Sequence, residues 1–480
     1  MLILANNQFY GQLTVIEDGA SNNTALLEYI DLRGNMIQGS IPNSIFELVS
    51  LAYLDLSSNN LSGVVKFDMF CKLKNLKHLI LSYSGLSLLT KSSSTISSNV
   101  TTCPRLEILK CSSCNITEFP DFLRTQEVLG VLDLSNNKIY CDIPKWAKDI
   151  GKDSLSYLNL YGNFLTGALD LQWMNLQFID LRSNMFEGPA PIPPPSARFA
   201  YPGLEWESIG GLPPSWLRCQ GLEVLDVGNN NFKGTFPYWL GSLPELQVLI
   251  LHSNSFHGNV GTSNGKHLFS KLRIFDISNN SFNGTLPSSF VQCFKAMMNS
   301  TENRGKLQYL GESYYKDSIM LMVKGHDIKF VRILTLISTI DVSNNKLKGE
   351  IPKVIGDLVS LRWLNLAHNN FIGRIPPSLA SFREARGEQF DTFENNSYLG
   401  NLGLCGNPLS KKCGDDEAPL QPPPRMVQDD SDSKIKGTFG WAIVGIGYGC
   451  GTTIGLVAGY YIVIVRNPVW LLRLARRLKY

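Results

Sequence analysis

Residues 358–379 read LVSLRWLNLAHNNFIGRIPPSL, and this stretch decides the fold. Its regularly spaced positions are Leu361, Leu364, Leu366, Asn369, Phe371 and Ile375. The spacing L-x-x-L-x-L-x-x-N-x-L fits neither the 3.6-residue period of a helix nor the strict alternation of a strand. It indicates one short strand that turns into a coil, and such a unit cannot bury its apolar side alone. We therefore expect stacked copies in which each layer of leucines covers the next.

The same unit recurs along the 480-residue chain with a period of about 24 residues, which is typical of leucine-rich repeats. The anchor residue of each repeat is Asn35, Asn59, Asn137, Asn163, Asn184, Asn230, Asn254, Asn280, Asn345 or Asn369. Each anchor is expected to bond backbone groups in the turn after its strand, because those groups would otherwise be buried without partners. Ser84 and Cys114 replace the anchor in two layers, and Cys111 replaces an inward leucine. We expect these layers to pack less tightly, or Cys111 and Cys114 to be linked.

Several repeats continue with Gly and then Ile-Pro or Leu-Pro, at residues 39–42, 284–287, 349–352 and 373–376. This L-x-G-x-I-P tail resembles the plant-specific class of leucine-rich repeats, in which a second short strand precedes a 3₁₀ or helical segment. Proline suits that position because it fixes φ and donates no backbone hydrogen bond. The predicted fold is a leucine-rich-repeat solenoid, an α/β-type right-handed superhelix of plant-specific repeats, followed by a single transmembrane α-helix.

Repeats are predicted over residues 1–290 and 336–381. The chain begins within a repeat and no secretory signal precedes it, so we expect an incomplete or rearranged form of a longer protein. Residues 87–102 are predicted to be a surface loop. Residues 188–211 are predicted to be an eroded repeat that begins in a Pro-rich turn, with a polyproline recognition site as the alternative.

Residues 291–335 form an island in which no repeat can be placed. Within it, residues 317–329 alternate like a short amphipathic hairpin, and Tyr314 and Tyr315 come just before. Long insertions of this kind are usually functional or disordered, and the apolar content argues against disorder. The island either contacts a ligand or is a purely structural insert.

The outward positions of the predicted concave sheet carry aromatic columns beside polar ones. Candidate ligand contacts there are Tyr157, Tyr161, Arg182, His252 and Trp363. Large rigid rings supply contact area at low entropic cost, so this surface suits an extracellular peptide, protein or glycan. The alternative for any one of these residues is a solvated sheet surface with no partner.

The C-terminal part changes character several times. Residues 382–414 are predicted to cap the repeats, with Cys405 and Cys413 forming a disulfide, and residues 415–438 are an acidic, Pro-rich juxtamembrane stalk. Residues 439–465 carry no charge and are long enough to span a bilayer. The basic tail, residues 466–480, should face the cytosol. This predicts a single-pass type I protein of the plasma membrane.

Two further features follow from this topology. Glycines recur every fourth residue in the predicted membrane helix, at Gly447, Gly451, Gly455 and Gly459, and this spacing favours close approach of a partner helix. Predicted extracellular glycosylation sequons begin at Asn22, Asn60, Asn99, Asn115, Asn279, Asn283, Asn299 and Asn395.

The sequence argues against several function classes. The formal charge of +3 is nearly balanced, so no basic surface for nucleic acid is indicated. No protease, hydrolase or phosphate-loop motif occurs, and the six histidines are scattered. We therefore predict no enzyme activity, no metal and no cofactor. The short tail cannot contain a kinase, so signalling requires a partner.

Repeats, island, the cap segment GNLGLCGNPL at residues 400–409, acidic stalk, glycine-rich membrane helix and basic tail together resemble the plant leucine-rich-repeat receptor-like proteins. The resemblance implies recognition of an extracellular ligand in defence and signalling through an adaptor receptor-like kinase that pairs with the membrane helix. It also implies that Tyr314, Tyr315 and Lys324 of the island contribute to contacts, and that about two repeats are missing between residues 376 and 389. The alternatives are a binding inhibitor of secreted enzymes, a developmental receptor, or a nonfunctional or decoy product.

Overall fold

The structure, a computed structural model, describes residues 1–13, 27–90, 103–168, 173–188, 219–260, 268–298, 319–323, 326–330, 338–381 and 395–413. The chain divides into two compact units, residues 1–416 and 417–480, and every described residue belongs to the first. The predicted stalk, membrane helix and tail lie outside the described residues, and so does most of the segment 188–211. In the part of the chain that is described, no helix is both long and apolar enough to cross a bilayer.

Thirteen short parallel strands of the described residues form one continuous sheet, the main sheet. In spatial order they are β1 (Leu2–Ile3), β3 (Tyr29–Asp31), β5 (Tyr53–Asp55), β8 (His78–Ile80), β10 (Ile108–Lys110), β11 (Val131–Asp133), β12 (Tyr157–Asn159), β13 (Phe178–Asp180), β15 (Val224–Asp226), β17 (Val248–Ile250), β19 (Ile274–Asp276), β23 (Thr339–Asp341) and β25 (Trp363–Asn365). Spatial order follows chain order, so each strand is one layer of a stack. The predicted repeat solenoid is confirmed.

A second row of parallel strands follows the main strands. Seven form one sheet: β14 (Glu187–Gly188), β16 (Asn231–Thr235), β18 (Ser255–Asn259), β20 (Ser281–Thr285), β24 (Lys346–Glu350), β26 (Asn370–Arg374) and β27 (Gly403–Cys405). The others are β2 (Tyr10–Gln12), β4 (Met36–Gly39) and β6 (Asn60–Leu61), and the pair β7 (Val64–Lys66) and β9 (Ser87–Leu89). This row is the second short strand that the L-x-G-x-I-P tail predicts.

The prediction for residues 87–89 is wrong. They were predicted to be loop, but they form strand β9, because Leu88 is buried and pairs with Val65 of β7. Residues 91–102 of that predicted loop lie outside the described residues.

Short helical segments return the chain to the next main-sheet strand. The 3₁₀ segments among the described residues are Asn43–Glu47, Phe67–Lys72, Asp121–Thr125, Lys145–Asp149, Tyr238–Ser242, Lys353–Asp357 and Asn395–Tyr398. The short α-helices are α1 (Ser288–Val291), α2 (Lys295–Met298) and α3 (Pro377–Ser381). Proline directly precedes several of them, as at Pro42 with φ of −69° and Pro352 with φ of −58°. The proline ring fixes this φ, so the tail motif sets where each segment begins.

One continuous apolar core runs through the stack. Cys111 and Cys114 lie fully buried within it, and both are free thiols, so the predicted link between them is wrong. Each thiol instead fills space as a small apolar side chain, and the Cys114 thiol donates to the Leu81 carbonyl oxygen at 3.5 Å. A disulfide that the sequence did not indicate joins Cys71 to Cys103.

The anchor asparagines form a ladder through the stack. Asn137 is typical: its Nδ2 donates to the carbonyl oxygens of Cys111 and Leu134 at 2.8 and 2.9 Å. Its Oδ1 accepts from the backbone N–H groups of Cys114 and Ile116 at 2.9 and 3.0 Å. The predicted role of the anchors is therefore confirmed. Asn401 in the cap, which was not predicted, continues the ladder by accepting from the Phe371 N–H at 3.0 Å.

The island begins later than the predicted position 291. Phe294 and Met297 are buried in the core of the repeats, so residues 291–298 belong to the stack. Beyond them, β21 (Ile319–Val323) and β22 (His326–Phe330) pair antiparallel, which is the hairpin that the alternating pattern predicts.

The cap covers the last layer of the stack. Strand β27 pairs with β26, so that Ile372 lies opposite Gly403. Tyr398 and Leu404 of the cap are buried in the common core. A disulfide joins Cys405 to Cys413.

Candidate functional site

Aspartates line the outward face of the main sheet at the third residue of the strands. We call Asp31, Asp55, Asp133, Asp180, Asp226, Asp276 and Asp341 the carboxylate row. Most of them cap the turn that follows: Asp276 Oδ1 accepts from the N–H and the hydroxyl of Ser278, at 2.9 and 2.7 Å. Sequence reasoning did not identify this row as a candidate site, although an Asp-x-Ser that follows an inward apolar residue recurs at Asp55, Asp133, Asp276 and Asp341 and was a signal for it.

Burial makes several of these carboxylates weak acids. The pKa of Asp341 is raised to about 7, first by desolvation and then by the neighbouring charge of Asp276. Desolvation also raises the pKa of Asp180 to about 7, against the opposing effect of Arg182. The pKa values of Asp55 and Asp276 are raised from the same main cause. Ionising these buried carboxyl groups therefore costs free energy.

A cavity of about 400 Å³ opens on this face, between strands β12 and β23. Three of the predicted ligand contacts, Tyr161, Arg182 and His252, lie in its wall together with Asp276. Serine hydroxyls and asparagine amides complete the wall, and two of them bond each other where Asn229 Nδ2 donates to Ser183 Oγ at 3.2 Å. The volume lies at the lower end of the range typical of ligand sites, about 300–1,000 Å³. The cavity is thus a polar site built from separate repeats.

Arg182 is the best-held side chain of the cavity. Its Nη2 lies 2.8 Å from Oδ2 of Asp180, and its Nε lies 3.4 Å from Oδ2 of Asp226. Its guanidinium lies over the ring of Tyr161, 4.8 Å from the centroid, which is a cation–π contact. Burial lowers the pKa of Arg182, but the charges of Asp226 and Asp180 outweigh this effect and raise it overall, so the guanidinium stays charged. The third nitrogen, Nη1, is buried, and in the part of the chain that the structure describes it has no hydrogen-bond partner.

His252 reaches toward Arg182 across a gap in its column. The intervening strand has Gly228 at the equivalent position, and a Cβ on Gly228 would lie only 2.5 Å from His252 Nε2. The absence of a side chain at Gly228 is therefore what lets the imidazole lie there. Nδ1 of His252 is 3.1 Å from Ser253 Oγ, and the imidazole lowers the pKa of Asp276 against the effect of burial.

The other predicted contacts do not join this cavity. Tyr157 stacks on Phe178 with ring centroids 4.4 Å apart, and the ammonium group of Lys110 lies over the Tyr157 ring, 5.7 Å from its centroid. Trp363 lies in β25, opposite Thr339. Tyr314, Tyr315 and Lys324 lie outside the described residues, as do Gly447, Gly451, Gly455 and Gly459.

The structure describes some of the predicted glycosylation sites and not others. Asn60, Asn115, Asn279 and Asn283 are exposed, and Asn279 stands in the cavity wall, where its Nδ2 donates to Ser253 Oγ at 3.0 Å. Asn395 begins a 3₁₀ segment, and Asn22, Asn99 and Asn299 lie outside the described residues. Glycosylation remains a prediction. Among the described residues, no group of three or more His, Cys, Asp or Glu side chains is arranged to hold a metal ion.

The sequence matches family profiles described as "Leucine rich repeat" over residues 1–61, and over residues 221–243, 271–293, 337–358 and 360–382. It is 35% identical to Receptor-like protein 18 of Arabidopsis thaliana, over 71% of this chain and 48% of that relative. It is 30% identical to Receptor like protein 27 of the same plant, over 96% of this chain and 70% of that relative. The chain spans about half the length of several curated relatives that it matches.

The fold is also similar to a solved structure, the leucine-rich-repeat ectodomain of the Arabidopsis thaliana receptor kinase GASSHO1/SCHENGEN3 in complex with Casparian strip integrity factor 2. The two share 24% identity with a TM-score of 0.52, over 86% of this chain and 42% of that one.

Proposed function

Because the chain belongs to the plant leucine-rich-repeat receptor-like proteins, we propose that it binds an extracellular ligand and acts as a kinase-lacking receptor at the cell surface. The observation that carries this proposal is the cavity on the main sheet. Tyr161, Arg182 and His252 come from three different repeats, and they meet in its wall. A ligand held there would contact several layers of the stack at once.

The proposed ligand is an extracellular peptide, protein or glycan. The wall combines an aromatic ring with a fixed guanidinium, hydroxyl groups and amides, which is the mixture of anchor and polar groups found at binding sites. The related GASSHO1/SCHENGEN3 ectodomain has a bound factor, which supports ligand binding as a use of this fold. The role in defence rests on the family resemblance of the sequence.

Signalling is proposed to pass through a partner receptor kinase. Residues 439–465 would span the plasma membrane once, with residues 1–438 outside. The stripe of Gly447, Gly451, Gly455 and Gly459 would pack against the kinase's membrane helix, since small residues let two helices approach closely. Changing Gly451 and Gly455 to Leu should weaken co-purification with the kinase, and unchanged co-purification would contradict this step.

The cavity itself is tested in plant cells that express the full chain with an added secretory leader. Extracellular fluid from challenged leaves is applied, and the early calcium response is recorded. His252→Ala should abolish the response that depends on the chain. His257→Ala is the matched control, because His257 is an exposed histidine on β18 outside the cavity. Equal responses from the two variants would contradict the proposed site. Binding without kinase co-purification would favour the alternative, an inhibitor of secreted enzymes.

A further inference from the structure

The strands beside the cavity carry a run of carboxylates. Four members of the carboxylate row lie on strands β13 to β23, at Asp180, Asp226, Asp276 and Asp341. One guanidinium, Arg182, faces them, and its ion pairs are with Asp180 and Asp226. Asp276 stands in the wall outside those ion pairs, and His252 is the basic side chain whose charge acts on it. A cationic group in the cavity would therefore meet a carboxylate that forms no ion pair with a Lys or Arg of the described residues.

A second observation at the cavity, on Arg182, also points to a ligand. The side chain of Arg182 is 6% exposed, and its Nη1 is a buried donor that has no partner among the described residues. A buried donor left unmatched costs free energy, which an acceptor oxygen from a ligand would recover. That oxygen should be uncharged, because Arg182 is already neutralised by two carboxylates and a third anion would be repelled.

We propose, on the basis of the ligand-binding function above, that the cavity recognises an ammonium or guanidinium group of its ligand. The cation pairs with the carboxylate of Asp276, and a carbonyl or hydroxyl oxygen of the ligand accepts a hydrogen bond from Arg182 Nη1. A peptide segment with a Lys or Arg side chain supplies both groups, since every residue carries a carbonyl. A ligand that presents only carboxylates to this cavity is disfavoured.

The structure contains a matched control for Asp276. Asp133 belongs to the same carboxylate row, and its Oδ1 accepts from the N–H and hydroxyl of Ser135 at 2.9 and 2.7 Å. The corresponding distances at Asp276 are the same. Asp133 lies on β11, outside the cavity wall. Replacing either aspartate by Asn therefore changes an equivalent turn, but only Asp276→Asn alters the cavity.

The test measures binding of blocked hexapeptide pools to the purified full chain in detergent by fluorescence polarisation. The pools differ only in one central residue, which is Lys, Arg, norleucine or Glu. We expect the Lys and Arg pools to bind at least ~10-fold more tightly than the norleucine pool, and the Glu pool to bind most weakly. Asp276→Asn should abolish this preference, whereas Asp133→Asn should retain it. Equal binding of the Lys, norleucine and Glu pools to the wild type would overturn the proposal without any variant.

Spermidine distinguishes two sources of the cation. If spermidine competes for the site and Asp276→Asn removes this competition, the ammonium site accepts a free polyamine. If the Lys pool binds specifically, the site accepts a peptide. Binding of neither overturns the proposal. If His252→Ala abolishes the cell response but no cation preference is found, this inference fails and the proposed receptor function stands. If His252→Ala leaves the response intact, the proposed site fails.

Discussion

Nε of Arg182 lies 3.4 Å from Oδ2 of Asp226 on the next strand of the main sheet, and this pair is almost fully buried. The first layers contain an exposed version of the same arrangement. There Arg33 approaches Asp31 at 3.6 Å and Asp55 at 3.9 Å, but the Arg33 side chain is 48% exposed. The two arginines thus place the same chemistry in different solvent environments.

Replacing Arg182 by Ala should lower the free energy of unfolding by about 3–5 kcal/mol, because two buried carboxylates lose their counter-charge. Replacing Arg33 by Ala should lower it by no more than about 1 kcal/mol, since solvent screens the exposed pairs. Urea unfolding of both variants, followed by circular dichroism, checks the contrast. Similar losses in the two variants would show that burial does not set the strength of these pairs.

Much of the fold was predictable because the same sequence pattern recurs in many layers. Leu364 and Leu366 flank one outward residue, and that local spacing recurs in every layer that pairs into the main sheet. The anchor role of Asn369 also followed from the turn it must close, and Leu347 N–H donates to its Oδ1 at 3.0 Å. The spacing could not reveal Cys71–Cys103, because that disulfide joins residues on either side of an irregular insertion.

The candidate site was predictable only in part. Tyr161, Arg182 and His252 were identified as outward residues, and they do meet in one cavity. Their meeting depends on Gly228, because this residue has no side chain to displace His252. The spacing of the repeats does not mark this glycine as functional. The carboxylate partner Asp226 was missed because an aspartate that caps a turn looks structural until its burial and its neighbours are known.

Asn137→Ala should be among the most destabilising single changes to the ladder. The side chain is buried and bonds five backbone groups, which lose their partners without gaining water. We expect a loss of about 2–4 kcal/mol, measured as a shift of the urea midpoint, from more than one unsatisfied group. Asn7→Ala is the control, because Asn7 bonds the Leu4 and Ala5 carbonyls in an exposed layer and should cost at most about 0.5 kcal/mol. A midpoint for Asn137→Ala as high as that of Asn7→Ala would rule out a structural role for the ladder.

Asp341 should make stability fall as the pH rises through neutrality. Its pKa is raised to about 7 by burial and then by Asp276, whereas in the unfolded chain an aspartate has a pKa of about 3.9. The folded protein therefore holds a proton that the unfolded chain has released between these values. The stability from this proton is fully present below about pH 4 and is lost as the pH rises through about 7.

Asp341→Asn removes that titration, because the amide stays neutral at every pH. Between pH 5 and pH 8, the free energy of unfolding of the variant should rise relative to the wild type by an amount on the order of 2 kcal/mol. Thermal melts at several pH values check this trend. Asn159→Ala is a control that changes a neutral residue at the equivalent strand position, and it should leave the pH profile of the wild type unaltered. Parallel profiles for Asp341→Asn and the wild type would disprove the assignment.

Gly228→Ala tests the geometry of the cavity most directly. The added methyl group would lie 2.5 Å from His252 Nε2, so the imidazole must move away from Arg182. Displacing one side chain at the surface is a modest change, so the urea midpoint should correspond to a loss of unfolding free energy below about 1 kcal/mol. The response that depends on the chain should be lost, as in His252→Ala. Gly130→Ala is the matched control, because its added methyl group would meet only ordinary contacts at 3.6 and 3.7 Å. The double variant Gly228→Ala/His252→Ala should recover the stability but not the response, since the clash is gone and the imidazole is still absent. A Gly228→Ala protein with full response would mean that the position of His252 does not matter for ligand binding.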